Sequence, residues 1–315
     1  MAEQKVSPLF KYIGGKSWLK NYLSSELKKM FEANPRIDTY VEPFAGGLGA
    51  FLSVSNILLE HGVKNVILND INSKLIGFYE NVYKNHDALI NGYVVLENEY
   101  AKTIPVDFHK YDKKKDKEQI KLALEGAVQF FYRIRSLFNQ ETDPLKNSIY
   151  LLFLQTHCFN GIYRENSNGG YNTPFNWDSR IVSEDKIRDK IMSVVDLFDK
   201  FEITFSNKSY ADLDYSLNAV YYLDPPYINE ENLVENKYHK ESFGLESQRD
   251  LIKKVEYSNF IYSNHDNTVL IDEFEKLSIE FNVQKIARKN IISASNESRK
   301  TDKMEILVSS KIKQL

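Results

Sequence analysis

The residues best suited to chemistry are Asp224-Pro-Pro-Tyr227, directly after the apolar run 219–223. Two prolines cannot extend a central strand, because proline lacks an N–H donor and fixes φ. The chain must therefore turn rigidly at a strand end, the usual ligand position in an open α/β sheet. That turn presents a carboxylate, a backbone carbonyl and an aromatic face together. Asp224 and the Pro225 carbonyl can accept the two N–H bonds of an exocyclic amine, and Tyr227 can stack on the ring that carries it. The combination suits a planar amino-heterocycle and is more than a plain surface turn requires.

Two glycine segments invite a phosphate-binding reading. Gly15-Lys16-Ser17 ends like a P-loop, but G-x-x-x-x-G-K-[ST] needs a glycine where Phe10 stands. Gly47-Leu48-Gly49 could open a dinucleotide fingerprint, yet its last glycine position holds Leu52. A glycine turn after a strand is commonly just a tight turn. It gains weight from Asp70, about twenty residues further on at the end of the next strand, where doubly wound sheets place a carboxylate for a ribose. A helix N-cap is the alternative, since Asn69-Asp70-Ile71-Asn72 precedes a helix, and the two roles are compatible. The six histidines lack tight metal-ligand spacing, so no metal is expected. The single cysteine, Cys158, excludes an internal disulfide and a multi-cysteine zinc site, and reads as a small core residue in an apolar helix. There is no G-x-S-x-G elbow.

These residues need a scaffold. Helical periodicity covers 17–33, and 39–41 is a short apolar run ending at Glu42-Pro43 and the glycines. Helix resumes over 50–61, and 65–68 reads as a buried strand. Strand, glycine turn, helix, strand opens a parallel βαβ sheet. The spacing then predicts helices over 73–102, 118–138 and 147–159, with a lysine-rich charge run at 113–117 and an Asn/Gly/Ser-rich loop over 160–180. Strand patterns return at 202–205, 219–223, 260–262, 279–286 and 305–308. The fold class is α/β. Residues 1–80 and 186–315 form the sheet domain, interrupted by a helical, loop-rich insertion over 81–185.

Composition narrows the class. The chain has 315 residues, 42% of them hydrophobic, which supports a core and excludes collagen-like or wholly disordered chains. No stretch reaches the apolar length of a membrane helix, and residues 1–10 lack a signal core, so a soluble intracellular protein is expected. With 41 basic and 44 acidic residues the net charge is −3, which excludes a globally basic nucleic-acid coat but not a local basic groove. The 20 Tyr, 19 Phe and 2 Trp fit a core and could also stack on bases.

Several segments recur in a known order: Leu9-Phe-Lys-Tyr-Ile-Gly-Gly-Lys16, Glu42-Pro-Phe-Ala-Gly-Gly-Leu-Gly-Ala-Phe51, Asn69-Asp-Ile-Asn72, Phe159-Asn-Gly-Ile-Tyr-Arg-Glu-Asn166 with Gly170-Tyr-Asn-Thr-Pro-Phe175, Ser209-Tyr-Ala-Asp212, Asp224-Pro-Pro-Tyr227, Ser263-Asn-His-Asp266 and Arg299-Lys300. From Leu9 to Ser309, nearly the whole chain, they resemble the Dam-like DNA N6-adenine methyltransferases, the D12 class. The resemblance implies a Rossmann-like methyltransferase sheet carrying a DNA-recognition insertion, with S-adenosylmethionine as methyl donor and no metal. It implies double-stranded DNA as partner, no membrane, and the cytoplasm of a prokaryotic cell or phage-infected host. A cognate restriction endonuclease acting on the same site is a further partner the family allows, with no contact required.

The resemblance also assigns residues. Tyr12, Lys16, Glu42, Phe44, Gly46, Asp70, Ile71, Tyr210 and Asp224 would hold the cofactor, Asp70 at its ribose and Tyr210 on its adenine. Asp224, Pro225 and Tyr227 would act on the target adenine once it is flipped out of the stack. Phe159 would be the wedge beside the target pair and Asn160 would fill the space the base leaves. Arg164 would read a guanine through O6 and N7. Ile162 and Pro174 would touch a thymine methyl, Lys11 would contact the outer guanine, and Asn172 belongs to the same segment. These matches predict a GATC site. Tyr12 replaces a more usual tryptophan, Ile162 is a conservative apolar replacement, and the lysine run has no counterpart. Asp before Pro-Pro-Tyr argues against N4 methylation of cytosine, the reading segment against RNA, and the intact Asp224-Pro-Pro-Tyr227 against a silent DNA-binding protein. A net charge of −3 fits local grip through Lys11, Arg164 and Arg299-Lys300, with release at moderate salt.

Overall fold

A computed structural model describes residues 6–12, 14–112, 115–177, 181–215, 218–228, 243–288 and 303–311. Lys113-Lys114 of the charge run and the Arg299-Lys300 pair lie outside the described residues. The chain divides into two compact units, one of residues 1–17, 46–53 and 72–200, the other of residues 18–45, 54–71 and 201–315. The 81–185 segment falls inside the first unit, which also takes in residues at the N-terminus and around the glycine turn.

The second unit is a seven-stranded, mostly parallel sheet flanked by helices, the arrangement of a Rossmann-like methyltransferase. Its strands are β2 (Thr39–Glu42), β3 (Asn65–Asn69), β5 (Glu202–Ser206), β6 (Ala219–Leu223), β7 (Asn259–His265), β8 (Phe281–Arg288) and β9 (Lys303–Ser310). Their order is β5-β3-β2-β6-β7-β9-β8, parallel from β5 to β7, with β9 antiparallel to both β7 and β8. The order reverses between β2 and β6, the position where such sheets open a ligand crevice at their strand ends. β6 reads AVYYL and is buried at all five positions, as a central parallel strand must be. Tyr221, Leu223, Phe260, Tyr262, Ile306 and Val308 join Ile252 of helix α9 (Leu245–Lys254) and Phe274 of α10 (Thr268–Glu275) in one core. Helix α1 (Lys20–Ala33) buries Leu23, Leu27, Met30 and Phe31, and α2 (Gly49–Glu60) supplies residues to both units.

The first unit is helical: α3 (Ser73–Lys84), α4 (His86–Ala101), α5 (Lys117–Ala123), α6 (Glu125–Gln140), α7 (Pro144–His157) and α8 (Glu184–Phe198). α7 packs against α3, α4 and α6. Gly92 lets α4 approach it, since a Cβ there would lie 2.3 Å from Ile149 Cδ1. A parallel pair, β1 (Lys11–Tyr12) with β4 (Ile162–Tyr163), completes the unit.

The sequence misplaced some boundaries. The helix expected over 73–102 breaks at Asn85, where the chain leaves helical geometry and the Asn85 amide donates to Asn81 Oδ1; asparagine favours such ends. The helix expected over 118–138 breaks at Leu124. α7 starts at Pro144, not Asn147, because Asp143 caps it and proline suits the first turn. α8 was missed, although Ile187, Ile191, Val194 and Phe198 follow helical spacing. Cys158 stands just past the end of α7, bridged to Phe175, and not inside a helix; it is buried, and burial pushes its thiol upward. No helix among the described residues is long and apolar enough to cross a membrane.

Candidate functional site

β6 delivers Asp224 to the carboxyl end of the sheet. Parallel pairing sets Leu223 opposite Tyr262, so Ser263 of β7 emerges beside Asp224. The Ser263 hydroxyl lies 3.0 Å from Asp224 Oδ1 and fixes the carboxylate, while Tyr222 Oη lies 2.9 Å from Ser263 Oγ. Tyr227 donates its hydroxyl to Glu305 Oε2 at 2.8 Å. Glu305 is only 1% exposed and pairs in register with His265, whose ring sits 4.4 Å from the Tyr227 ring in an edge contact. Burial, then the charges of Asp224 and Glu305, push the Tyr227 hydroxyl far above its ordinary value, so it stays a neutral donor.

The turn between these residues is pinned as firmly. Gln248 Nε2 donates to the Pro226 carbonyl at 2.9 Å and accepts from the Tyr262 hydroxyl at 2.7 Å. Asn264 donates to Tyr262 Oη and accepts from the Ile228 amide. Pro225 is buried, and among the described residues no hydrogen bond is made to its carbonyl. A fully hydrogen-bonded buried network rigidifies the loop it surrounds.

The neighbouring strand ends carry the other expected groups of this unit. Glu42 ends β2, buried, with the Tyr40 hydroxyl on its Oε1 at 2.6 Å. Asp70 follows β3. The N-cap alternative for Asp70 is corrected: the cap of α3 is Asn72, whose Oδ1 accepts from the Lys74 and Leu75 amides. The backbone of Asp70-Ile71 is held instead by Asn207, which donates to both carbonyls. Ile71 is 73% exposed. Phe44 and Tyr210 pack with Phe243, with ring centroids 5.1–5.9 Å apart. The buried Asn69 ties these ends together, donating to the Pro43 and Lys208 carbonyls and accepting from the Lys208 amide.

The first unit holds the remaining residues. Gly47 has room for Tyr12 and nothing more, since a Cβ there would lie 2.5 Å from the tyrosine's own Cβ. Gly46, at φ +47°, lies against the same ring. The glycines thus serve close approach as well as the turn. Lys16 is buried and donates to the Gly14 carbonyl at 2.7 Å, not a solvated lysine. Lys11 pairs with Ile162 across β1 and β4, and Tyr12 stacks on Tyr163 at 5.7 Å. Lys11, Arg164 and Pro174 are exposed, and Phe159 is 52% exposed. Arg164 Nε donates to Asn172 Oδ1 at 2.7 Å. The Phe159 amide donates to the Pro174 carbonyl at 2.8 Å, and Asn160 takes φ +58°, a left-handed conformation asparagine tolerates. Lys11, Phe159, Asn160, Ile162, Arg164, Asn172 and Pro174 therefore all belong to one short strand pair and its loops.

A family described as D12 class N6 adenine-specific DNA methyltransferase matches residues 12–292. The chain belongs to this family. The methyltransferase is similar over 96% of its length, at 29% identity, to the Type II methyltransferase M.MjaIII of Methanocaldococcus jannaschii, of which 99% is covered. It is 32% identical to the DNA adenine methylase of Haemophilus influenzae over 83% of this chain and 80% of that one. It is 25% identical to that of Escherichia coli K12, over 96% and 95% respectively. In this methyltransferase, sequence reasoning missed Glu305, Gln248 and Phe243. None of them stands in a chemical motif; Glu305 shows only as a carboxylate inside an apolar strand pattern. Among the described residues no group of three or more His, Cys, Asp or Glu is arranged to hold a metal ion.

Proposed function

We propose that the enzyme transfers a methyl group from S-adenosylmethionine to N6 of an adenine flipped out of duplex DNA, within GATC. The observation that carries this reading is the buried clamp on Asp224-Pro-Pro-Tyr227. It holds a carboxylate and a ring in place and leaves the Pro225 carbonyl between them as an acceptor. The second unit also suits the cofactor. Glu42 and Asp70 end adjacent strands beside the reversal of strand order, and Ile71 with the Phe44–Tyr210–Phe243 cluster offers apolar surface for an adenosine. Bound S-adenosylmethionine supplies a methyl already activated on a sulfonium. Asp224 and the Pro225 carbonyl accept the two N–H bonds of the adenine amine and turn its lone pair out of the ring plane, a gain of orientation. Tyr227 stacks on the base.

In the first unit Tyr12, Lys16 and Gly46 keep the cofactor roles the resemblance gives them. Phe159 wedges into the stack, Asn160 fills the vacated space, and Arg164, Ile162, Pro174, Asn172 and Lys11 read the site. Exposure of Lys11, Phe159, Asn160, Arg164 and Pro174, with Ile162 and Asn172 half-buried, on a backbone fixed by β1, β4 and the Phe159–Pro174 bond supports that reading. The Type II name of the M. jannaschii relative is compatible with a restriction endonuclease of the same specificity. The test is unmethylated plasmid with enzyme and S-adenosylmethionine, followed by single-molecule sequencing of modified bases. N6-methyladenine confined to GATC is expected. Modification at another sequence would refute the site alone; unmodified adenine throughout would refute the reaction.

A further inference from the structure

One buried carboxylate in the first unit has no part in the chemistry above. Glu97, on α4, is 3% exposed, and both its oxygens are engaged. Oε2 lies 2.7 Å from His157 Nε2, and Oε1 accepts the Val182 amide at 2.7 Å. A carboxylate only accepts, so His157 carries its proton on Nε2. His157 is itself 1% exposed, packed 4.3 Å from the Tyr100 ring and 4.6 Å from Phe153. The two partners bracket the chain. His157 closes α7 two residues before Phe159, and Val182 leads into α8. Between them lie Phe159, Asn160, Ile162, Arg164, Asn172 and Pro174. Near the base of this loop the two limbs are joined directly, Asn176 N to His157 O at 2.9 Å and Phe159 N to Pro174 O at 2.8 Å. A buried carboxylate is costly unless paired and hydrogen-bonded, and this one spends both oxygens on the two ends of a single loop.

We propose that Glu97 is a positioning residue for sequence discrimination: by holding His157 and Val182 at once, it fixes on α4 the base of the loop that reads DNA. The proposal rests on the reading of 159–174 as the DNA-reading segment. The residue acts through others, so it sets how well Arg164 and its neighbours tell the right base pair from the wrong one, not the transfer step.

The experiment measures a ratio. Modified-base sequencing of a plasmid treated with wild-type enzyme supplies the recognition site. kcat/KM is then measured on a duplex carrying that site and on one with a single base pair altered, using the same preparation. Misfolded protein lowers both values equally and leaves the ratio untouched, so a merely structural role does not move it. Glu97→Leu should lower the ratio about tenfold or more, the scale of one good bidentate base contact. Glu97→Gln should lower it less than Glu97→Leu does, because the amide still accepts from Val182 and donates to the other His157 tautomer, although that tautomer leaves a buried Nδ1–H without a partner. If Glu97→Leu does not fold, Glu97→Leu/His157→Phe replaces the pair by apolar groups of similar size, an exchange usually tolerated, and should show the same loss. A retained ratio in whichever of the two folds, with Arg164→Ala reducing it, overturns the positioning role alone. An unchanged ratio in Arg164→Ala overturns the DNA-reading assignment and this inference with it.

Discussion

The Asp224–Tyr227 turn and the Phe159–Pro174 segment solve opposite problems. In the first, side chains are locked by other side chains: Ser263 on Asp224, Glu305 and His265 on Tyr227, Gln248 on the Pro226 carbonyl. In the second, the backbone is locked by β-pairing and by backbone hydrogen bonds, while Phe159, Arg164 and Pro174 face outward. On the proposed function the turn orients one amine and gains from immobilised atoms, and the segment meets a duplex and gains from a fixed base and exposed tips. The contrast predicts that truncation in the turn costs rate, and truncation in the segment costs discrimination.

After Asp224, the largest effect expected from breaking that contrast is at Tyr227. Tyr227→Ala should lower kcat by about a hundredfold, the scale of misplacing a reacting group, with the DNA dissociation constant nearly unchanged in a fluorescence titration. Arg164→Ala should leave kcat on the best site nearly intact but cost about 1–3 kcal/mol of discrimination at one base pair, measured by competing duplexes. Phe159→Ala should melt within about 0.5 kcal/mol of wild type, since the ring is half exposed; a large loss of stability would mean that it serves the core. Glu305→Leu sharpens the contrast from the other side. It strands the Tyr227 hydroxyl and should cost about 1–3 kcal/mol of stability and lower kcat, whereas Glu305→Gln, still an acceptor, should be milder on both.

The smallest effect is with pH. Burial raises the hydroxyls of Tyr222, Tyr227 and Tyr262 above the ordinary tyrosine value of 10.0. A raised value means that the folded state keeps its proton while the unfolded state loses it. The stability tied to these groups is therefore complete below pH 10 and is lost as pH climbs above it. Melting temperature should be flat with respect to these groups from about pH 7 to about pH 9 and should fall beyond pH 10, together with tyrosinate absorbance.

The fold and the central motif were legible because their physics is local. A buried apolar run stopped by Asp-Pro-Pro reads as a strand meeting a turn, whereas the glycines after β2 read as a tight turn and their close approach to Tyr12 shows only in the fold. What stayed hidden was long-range. Ser263 reaches Asp224 through strand register, and Glu305 reaches Tyr227 from a strand far along the chain; no spacing in the sequence encodes either contact. Asn72, not Asp70, became the helix cap because the cap depends on where helical geometry begins, which a run of Asn69-Asp70-Ile71-Asn72 leaves ambiguous. Helices over 73–102 and 118–138 were read as continuous because the apolar spacing survives their breaks at Asn85 and Leu124.

The central claim is that Asp224 holds the amine that receives the methyl group. Single-turnover methyl transfer by Asp224→Ala tests it, with duplex and S-adenosylmethionine both saturating and DNA binding followed in the same samples. Transfer slower by about a thousandfold or more, with duplex binding retained, is the predicted result. Transfer at the wild-type rate by a variant that binds DNA normally would contradict the account.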